Sequence, residues 1–584
     1  MGTFKGIPGQ FSTIQAAVNA AKPNDWVLVA PGDYKTTSSS APSGHPEFPA
    51  GVLITKSGLY LRGMNRNTVI VDGTKSGSAC NATGSDQNLG PTLSGQKAPA
   101  GLNGVMVWKA NNVWVQNMTV CNFLGGAAGD GGSGNEVWWN GGAGSGKVGG
   151  YGFLGSYLNA TSTFFNNEST AAQYGIFSSN WSGGTWDQTY ASNFNDSGYY
   201  IGACQQICNQ TVNHAWAEFS ALGYSGSNSG GQLLVENSQF DNNQDGFDTN
   251  SQNGDNPPPQ DGACPNNGIS PITHTHSCWV FMHNNVHDNN NAQAPSAGSA
   301  AAGPVGTGMS VSGARDDTVM DNTFANNGAW GTIFVPYPDS GPPCTGGTPN
   351  YPLLGNGSCL YDEWGDALLN NKYTHNGFFG NPTNGDFEEL NFESGHPTDC
   401  FSGNTDTAGA LNSASAALEK QYPSCTGKAA GANINAPFLT EVLCDSGTEL
   451  GGVSACLPTD KYPKLGNVVM HPLPAASQLA TMPKPCSGVP SDPWCSGQRI
   501  KIKRCVAATV RVKLSVDTGE KLTSVMVVNR HGGAVTFKAH GSSATIKLGL
   551  GGSHHKQFTV HFIEHVKVGS HKETISFYNI YTRC

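Results

Sequence analysis

The run Asp241-Asn-Asn-Gln-Asp245-Gly-Phe-Asp248 packs three carboxylates and three side-chain amides into eight residues. Residues two apart on a strand share a side, and a Gly turn between Asp245 and Asp248 can bring both carboxylates to one edge. Two chemistries use such a pair. Asp241, Asp245 and Asp248 can serve as oxygen ligands for calcium, helped by Asn242, Asn243 or Asn250. Alternatively, Asp245 and Asp248 act as acid and nucleophile or base in glycoside hydrolysis, where carboxyl separation selects retention or inversion. The plainer alternative is an Asx-turn corner whose carboxylates only cap backbone amides.

A second constellation is Arg315-Asp316-Asp317, between the apolar Met309-Ser-Val and Thr318-Val-Met-Asp321. Strand neighbours face opposite ways, so only one of Asp316 and Asp317 is expected to meet a cleft; the alternative is a corner salt bridge with Arg315. Arg315 or Lys147 is also the base that a lyase would need to abstract the proton α to a uronate carboxyl, with calcium neutralising the acid. A third is His274-Thr-His276, with His283 and His287 close by. Such histidines can share a strand face and bind a transition metal together with Asp288 or Asp261, although loop histidines are more often solvated.

Charge narrows the ligand. Residues 101–400 carry four basic side chains, Lys109, Lys147, Arg315 and Lys372, against 25 acidic ones. That balance argues against nucleic acid and leaves a polyuronate without cations to meet it unless calcium bridges, so it leans to a neutral glycan or a calcium-dependent one. Flat rings stack on sugar faces, and Trp138, Trp139, Trp181, Trp186 and Tyr224 are the expected stacking surfaces, with three or four of the coil's ten tryptophans exposed. No serine elbow, phosphate-cradling loop or haem-attachment motif occurs.

The elements that must position these groups repeat. The phrase apolar-x-Asn/Asp-x-x-aromatic-x-Asn-Asn runs as Val235-Glu-Asn-Ser-Gln-Phe240-Asp-Asn-Asn243, as Val319-Met-Asp-Asn-Thr-Phe324-Ala-Asn-Asn327 and, more loosely, as Asn370-Asn-Lys-Tyr373-Thr-His-Asn376. Weaker copies centre on Val120, Phe164 and Val286. The copies stand 38 to 49 residues apart, about one or two rungs plus a loop. Short β-runs with apolar residues facing in and Asn at the corners suit a coil of stacked turns, because Asn tolerates left-handed backbone and its amide can bond up and down a ladder. The fold expected is an all-β right-handed parallel β-helix.

At the N-terminus, Phe11-Ser-Thr-Ile-Gln-Ala-Ala-Val-Asn-Ala-Ala-Lys22 has the period of a short amphipathic helix; a strand Asp25-Trp-Val-Leu-Val-Ala30 and a Pro31-Gly-Asp-Tyr34 turn follow. This resembles the N-terminal cap of the pectate-lyase-like, pectin-methylesterase-like right-handed β-helix superfamily, and Val52–Thr55, Leu59–Arg62 and Thr68–Asp72 resemble its first coils. Gly134-Asn-Glu-Val-Trp-Trp-Asn-Gly-Gly142 and Leu222-Gly-Tyr-Ser-Gly-Ser-Asn228 resemble a group of secreted bacterial β-helix repeat proteins with no assigned reaction. Adjacent aspartates resemble those of polygalacturonase-like hydrolases, but the companion Gly-His-Gly is missing and Arg499-Ile-Lys501 falls beyond the coil.

Three regions follow: a β-helix with its cap and loop insertions over 1–400, a Cys/Pro-rich loop region or linker over 401–498 with a helix near Ala414–Lys420, and a small basic β-sandwich over 499–584. Residues 501–584 hold 13 Lys/Arg against four Asp/Glu, which suits an anionic wall polymer. The 16 Cys are even in number and couple as 204/208, 264/278, 344/359, 400/425, 444/456 and 486/495, with Cys505 and Cys584 bracketing the basic region. Such usage points to an extracellular chain, and no apolar run is long enough to span a bilayer. The reading is a secreted carbohydrate-active protein that hydrolyses a polysaccharide held in a lateral cleft. A calcium-dependent lyase stands second, and a non-enzymatic structural or adhesion rod third.

Overall fold

The structure is a computed structural model. It describes residues 2–127, 132–142, 147–204, 208–252, 277–352, 354–425, 431–447, 449–450, 453–490, 492–495, 503–506, 509–515, 520–528, 534–549, 557–568 and 571–583. His274, His276, Asp261 and Cys264 lie outside these residues, as do Cys584 and the Cys505 side chain. The chain divides into two compact units, Thr13–Met482 and Met1–Ser12 with Pro483–Cys584.

The larger unit is a right-handed parallel β-helix. Its widest face is a sheet of ten parallel strands: β1 (Ala50–Ile54), β2 (Asn103–Trp108), β3 (Asn135–Asn140), β4 (Tyr174–Ser179), β5 (Ser197–Gly202), β6 (Leu222–Ser227), β7 (Asp245–Asn250), β8 (Thr307–Ser312), β9 (Trp330–Val335) and β10 (Gly385–Glu389). Shorter strands close each turn, with Val235, Phe281, Val319, Leu368 and Phe401 in one register and Phe240, Val286, Phe324 and Tyr373 in another. All nine are buried, so the repeated phrase is a column of core residues.

Helix α1 (Ile14–Ala20) begins where the Thr13 side chain accepts from Ala16 N and buries Ile14 and Val18. It stops short of Pro23, which disfavours helical backbone in the residue before it. Gln15 of α1 accepts from Leu53 N at 2.6 Å and donates to Leu53 O at 3.1 Å, supplying edge strand β1 with partners it would otherwise lack.

Two asparagine ladders hold the corners. Asn243, Asn289, Asn327 and Asn376 form one and Asn284, Asn322, Asn371 and Asn404 the other; after the first of each, every Oδ1 accepts the backbone and side-chain N–H of the asparagine one rung before. The ladder steps of 46, 38 and 49 residues are each a single rung with an insertion, so the expectation of up to two rungs per repeat is corrected. Without an insertion a rung takes 23 residues, as from Ser220 to Asn243. Val120 and Val286 occupy core positions, but Phe164 lies in a loop after the strand Phe153–Thr161, and Ala160 holds the rung position expected for it.

Six successive strands of the wide sheet, β4 to β9, carry a glycine at one register position. A Cβ on Gly175, Gly198, Gly223, Gly246, Gly308 or Gly331 would come within 3.0 Å of a carbonyl oxygen one rung on.

The coil continues past residue 400: Cys400–Ser402 and Thr405–Asp406 pair in register with the rung before, which moves the expected boundary. Helix α2 (Ser413–Gln421) follows, and then α3 (Ala436–Asp445), which the sequence reading did not contain. Disulfides join 204/208, 344/359, 400/425, 444/456 and 486/495, and a sixth pair, Cys80–Cys121, had not been anticipated. These fit an oxidising compartment. No helix among the described residues is long and apolar enough to cross a membrane.

In the smaller unit a five-stranded and a two-stranded sheet share one core, built from alternate residues such as Val512, Leu514, Leu522, Val525, Val527, Ile546 and Phe562. The short strands Thr3–Phe4 and Ile7–Pro8 belong to this unit: Trp494 donates through Nε1 to Ile7 O, and its ring lies 5.8 Å from Phe4.

Candidate functional site

Strand register builds a column of side chains up the outer face of the ten-stranded sheet. From β1 to β10 it reads Leu53, Met106, Trp138, Phe177, Tyr200, Ser225, Asp248, Ser310, Ile333 and Glu388. A parallel column two residues on includes Ser227, Asn250 and Ser312. The middle of the face is therefore polar, with Asp248 at its centre.

Over this polar patch lies a cavity of about 490 Å³. Ser225, Asp248, Asn250, Ser310 and Ser312 form its floor, and Tyr174, Asp196 and Tyr200 line one end. One wall is the short helical turn Gly298–Ala302, anchored by Ala300 against Leu222. Another is α3, whose Leu439, Val442 and Leu443 face the cavity. The α3 sequence folds this way because Asn435 caps its start, Pro437 suits the first turn and Phe438 and Val442 are one turn apart. Glu441 then fixes it by accepting from Thr383 N and from Thr383 Oγ1 at 2.6 Å, and the Cys444–Cys456 bridge pins its end.

Asp248 is the one residue of β7 that is not fully buried. Ser312 Oγ donates to its Oδ1 at 3.0 Å and Asn250 Nδ2 to its Oδ2 at 2.7 Å. Burial pushes its pKa up to about 6, against the opposing pull of those two hydrogen bonds. Asp245 is completely buried beside it. Its Oδ2 accepts from Ser310 Oγ at 2.6 Å, and burial together with the nearby Asp248 charge holds its carboxyl well above the ordinary range. At the end of α3, Asp445 is also buried and held up by burial, with Asp245 adding to the effect. Asp196 accepts from Tyr174 Oη at 3.0 Å. The arrangement offers a half-open carboxyl that exchanges its proton near pH 6, beside a buried carboxyl held well above the ordinary range.

Several expectations are corrected here. Asp241 stands apart from the cavity. Its Oδ1 accepts from Trp216 Nε1 and Gln239 Nε2 and its Oδ2 from Asn242 Nδ2, and the oxygens of Asp241, Asp245 and Asp248 do not converge to within 4.8 Å as one calcium site would need. Arg315, Asp316 and Asp317 are buried away from the cavity. Arg315 stacks at 3.4 Å on Trp364 and donates to Asp362 O and Gly346 O, so it is a structural cation and not a base open to substrate. Asp316 takes left-handed backbone at a corner and Asp317 accepts from Trp279 N inside the coil. Lys147 is exposed but does not line the cavity. His283 and His287 sit beside Asp321 and Asp288.

The aromatic expectation also fails. Trp139, Trp181 and Trp186 are completely buried and Tyr224 nearly so; Trp139 and Tyr224 point into the coil, where Tyr224 stacks on Phe247 at 4.2 Å. Trp138 faces outward but is covered, stacked on Phe177 at 4.8 Å with Phe48 edge-on at 5.7 Å. Rings this large fill a parallel coil best from inside, where they bury the most area. Of the ten tryptophans only Trp114, Trp216 and Trp364 are partly exposed, and none lines the cavity. The partly exposed rings that do are Tyr174, Tyr337 and Phe392.

Sequence reasoning missed Asp196, Ser310, Ser312 and Asp445. A signal existed for the serines: Ser225-Gly-Ser227, Asp248-Thr-Asn250 and Ser310-Val-Ser312 are the same polar-x-polar pattern on three successive strands. Nothing in the sequence marks Asp445, because the segment around it reads as loop.

The fold and site thus define a right-handed parallel β-helix with a carboxyl-floored cavity on its widest face. No family model matches the chain, and no curated protein does. Among solved structures it is similar to the A-module of the Azotobacter vinelandii mannuronan C-5 epimerase AlgE6, at 12% identity over 68% of this chain and 93% of that one, TM-score 0.37. It is also similar to pectate lyase Pel9A, at 13% identity over 68% and 75% of the two chains, TM-score 0.29, and to DFA-IIIase from Arthrobacter chlorophenolicus A6, at 11% over 72% and 86%, TM-score 0.31. The strand register of the coil itself carries its fold.

Proposed function

We propose that this is an extracellular glycan-active enzyme that hydrolyses a neutral polysaccharide held in the cavity, with Asp248 as general acid. The observation that carries the reading is the state of Asp248: a carboxyl open to the cavity, fixed at both oxygens and titrating near 6. Asp196, at one end of the same cavity, is the carboxylate assigned to activate water. Tyr174, Tyr337 and Phe392 supply faces for sugar rings. Neutral substrate is favoured over a polyuronate because no described residue lining the cavity is Lys, Arg or His, while two are aspartates. The same composition disfavours the lyase, which lacks a basic residue there.

The smaller unit is assigned to an anionic wall polymer. Arg511 and Lys547 stand directly opposite one another across an exposed strand pair, with exposed Lys513 two residues on. Like charges so placed repel until an anion joins them.

A reducing-end assay on neutral and acidic polysaccharides, read beside absorbance at 235 nm, tests the reaction. New reducing ends without absorbance, absent in Asp248→Asn, are expected. Absorbance in place of plain reducing ends, or full activity in the variant, would overturn it.

A further inference from the structure

Beneath the last rungs of the coil lies a cluster of carboxyls that the proposed reaction does not use. One oxygen each from Glu363, Glu389 and Asp399 lies within 4.8 Å of the others, and all three residues are buried. Two other described groups of possible metal ligands have this closeness, and both contain cysteines already spent in the Cys80–Cys121 and Cys444–Cys456 disulfides.

The chemistry of the neighbouring ladder makes the cluster unusual. Trp279 N donates to Asp317 Oδ1, Asp317 N to Asp366 Oδ1 and Asp366 N to Asp399 Oδ1, the same climb that the asparagines make. In an asparagine ladder the second side-chain atom is a donor, as Asn371 Nδ2 is to Val319 O. An aspartate has no such donor, and no N–H or hydroxyl reaches the buried Oδ2 of Asp317, Asp366 or Asp399, the last meeting only the Glu389 carboxyl. At the end of this ladder Glu363 enters completely buried, with no N–H or hydroxyl donor on either carboxylate oxygen and only the Asp362 carboxyl against it. Asn391 holds the segment there by donating to Glu363 O at 2.8 Å, and its own Oδ1 is also buried and unpartnered. A buried carboxylate with no donor costs several kcal/mol unless it is neutralised, so something must meet these oxygens.

We propose that Glu363, Glu389 and Asp399 bind a calcium ion that closes the C-terminal end of the coil. The ligands are hard oxygens with no Cys or His among them, which selects calcium or magnesium over zinc. An enclosed, all-protein carboxylate set favours calcium, because magnesium keeps several of its waters. Glu389 ends β10, Asp399 immediately precedes the next rung strand at Cys400, and Glu363 leads into Ala367–Leu369, so one ion ties three chain segments together. The competing occupant is protons, shared within Glu389–Asp399 and Asp362–Glu363. The inference is independent of the proposed reaction: the ion would be structural, remote from Asp248.

The test is calcium titration of the whole, chelator-stripped protein by calorimetry and by luminescence of terbium excited through Trp364. The parent is expected to bind calcium at this site. Glu363→Gln and Asp399→Asn should weaken binding at least about tenfold, since even residues outside a metal's ligand set are worth that much. Asp248→Asn should bind as the parent does. A stripped parent that takes up no calcium, or a folded Glu363→Gln that binds unchanged, overturns the proposal in favour of protons. Should both variants fail to fold, terbium anomalous scattering from crystals of the parent decides: a peak among Glu363, Glu389 and Asp399 supports the site, and its absence there overturns it.

Discussion

Ser312 Oγ donates to Asp248 Oδ1 at 3.0 Å across two neighbouring strands of the wide sheet. With Asn250 holding the other oxygen, the carboxylate is oriented before any ligand arrives, and a residue one rung away pulls against the burial that raises its pKa.

That contact is testable through pH. A hydroxyl donating to a carboxylate favours the ionised form, so Ser312→Ala should raise the Asp248 pKa from about 6 by roughly one unit. If the protonated form is the active acid, the parent rate falls as pH rises through 6, and the variant keeps its activity to higher pH. A pH–rate profile of kcat/KM checks this; an unmoved limb would remove Asp248 from the role.

Asp248→Asn should lower kcat by about 10²- to 10⁴-fold with little change in KM, the usual value of one general acid. Burial holds the Asp245 carboxyl well above the ordinary range, so Asp245→Asn should leave the structure intact and cost far less activity. Steady-state kinetics on the cleaved glycan, with circular dichroism as the control for folding, separates the two.

Glu136 occupies β3 inside the coil with one oxygen accepting from Phe123 N and the other unpartnered. Burial holds its pKa well above 4.5. A folded pKa raised above the unfolded one gives stability that is complete at acid pH and lost as pH rises toward the folded value. Parent stability should therefore decline from pH 5 upward, by at most about 1.4 kcal/mol per pH unit for this group. Glu136→Gln should flatten its share of that decline, read as urea midpoints at pH 5 and pH 8.

In the middle of its ladder, Asn322 accepts from Asn284 N and donates to Phe281 O and Asn371 Oδ1. Asn322→Ala should cost about 3 kcal/mol, because buried partners lose their bonds on both sides. Asn322→Asp should be milder at pH 4 than at pH 8, since only the protonated acid can replace the lost donor toward Phe281 O. Denaturant unfolding at the two pH values tests both.

The parallel coil was legible because its demands recur: an apolar residue, then an asparagine at each corner, as at Val235 and Asn243 or Val319 and Asn327. Asp248 was legible as a candidate because three carboxylates crowd residues 241–248. What surrounds it was not, since Ser312 reaches Asp248 across 64 residues of chain and α3 comes from a segment almost 200 residues on, and local spacing carries neither. The tryptophans misled for a related reason: size and type are the same for a ring that fills a core and one that greets a sugar, and only strand parity, which puts Trp139 inside, tells them apart. Cys80 and Cys121 escaped pairing because they are neighbours across rungs and not along the chain.

The outer column from Tyr200 through Ser225 and Asp248 to Ser310 presents a new side chain at every strand, about 4.8 Å apart. A groove built this way has a graduated scale. Gain or loss of one turn between Tyr200 and Asp248 would leave the corner ladders able to re-form, yet move the Tyr174 and Asp196 end of the cavity relative to Asp248 by one graduation. Preference for chain length in such proteins would then change in discrete jumps, by duplication or deletion of a turn, without any existing contact having to be redesigned.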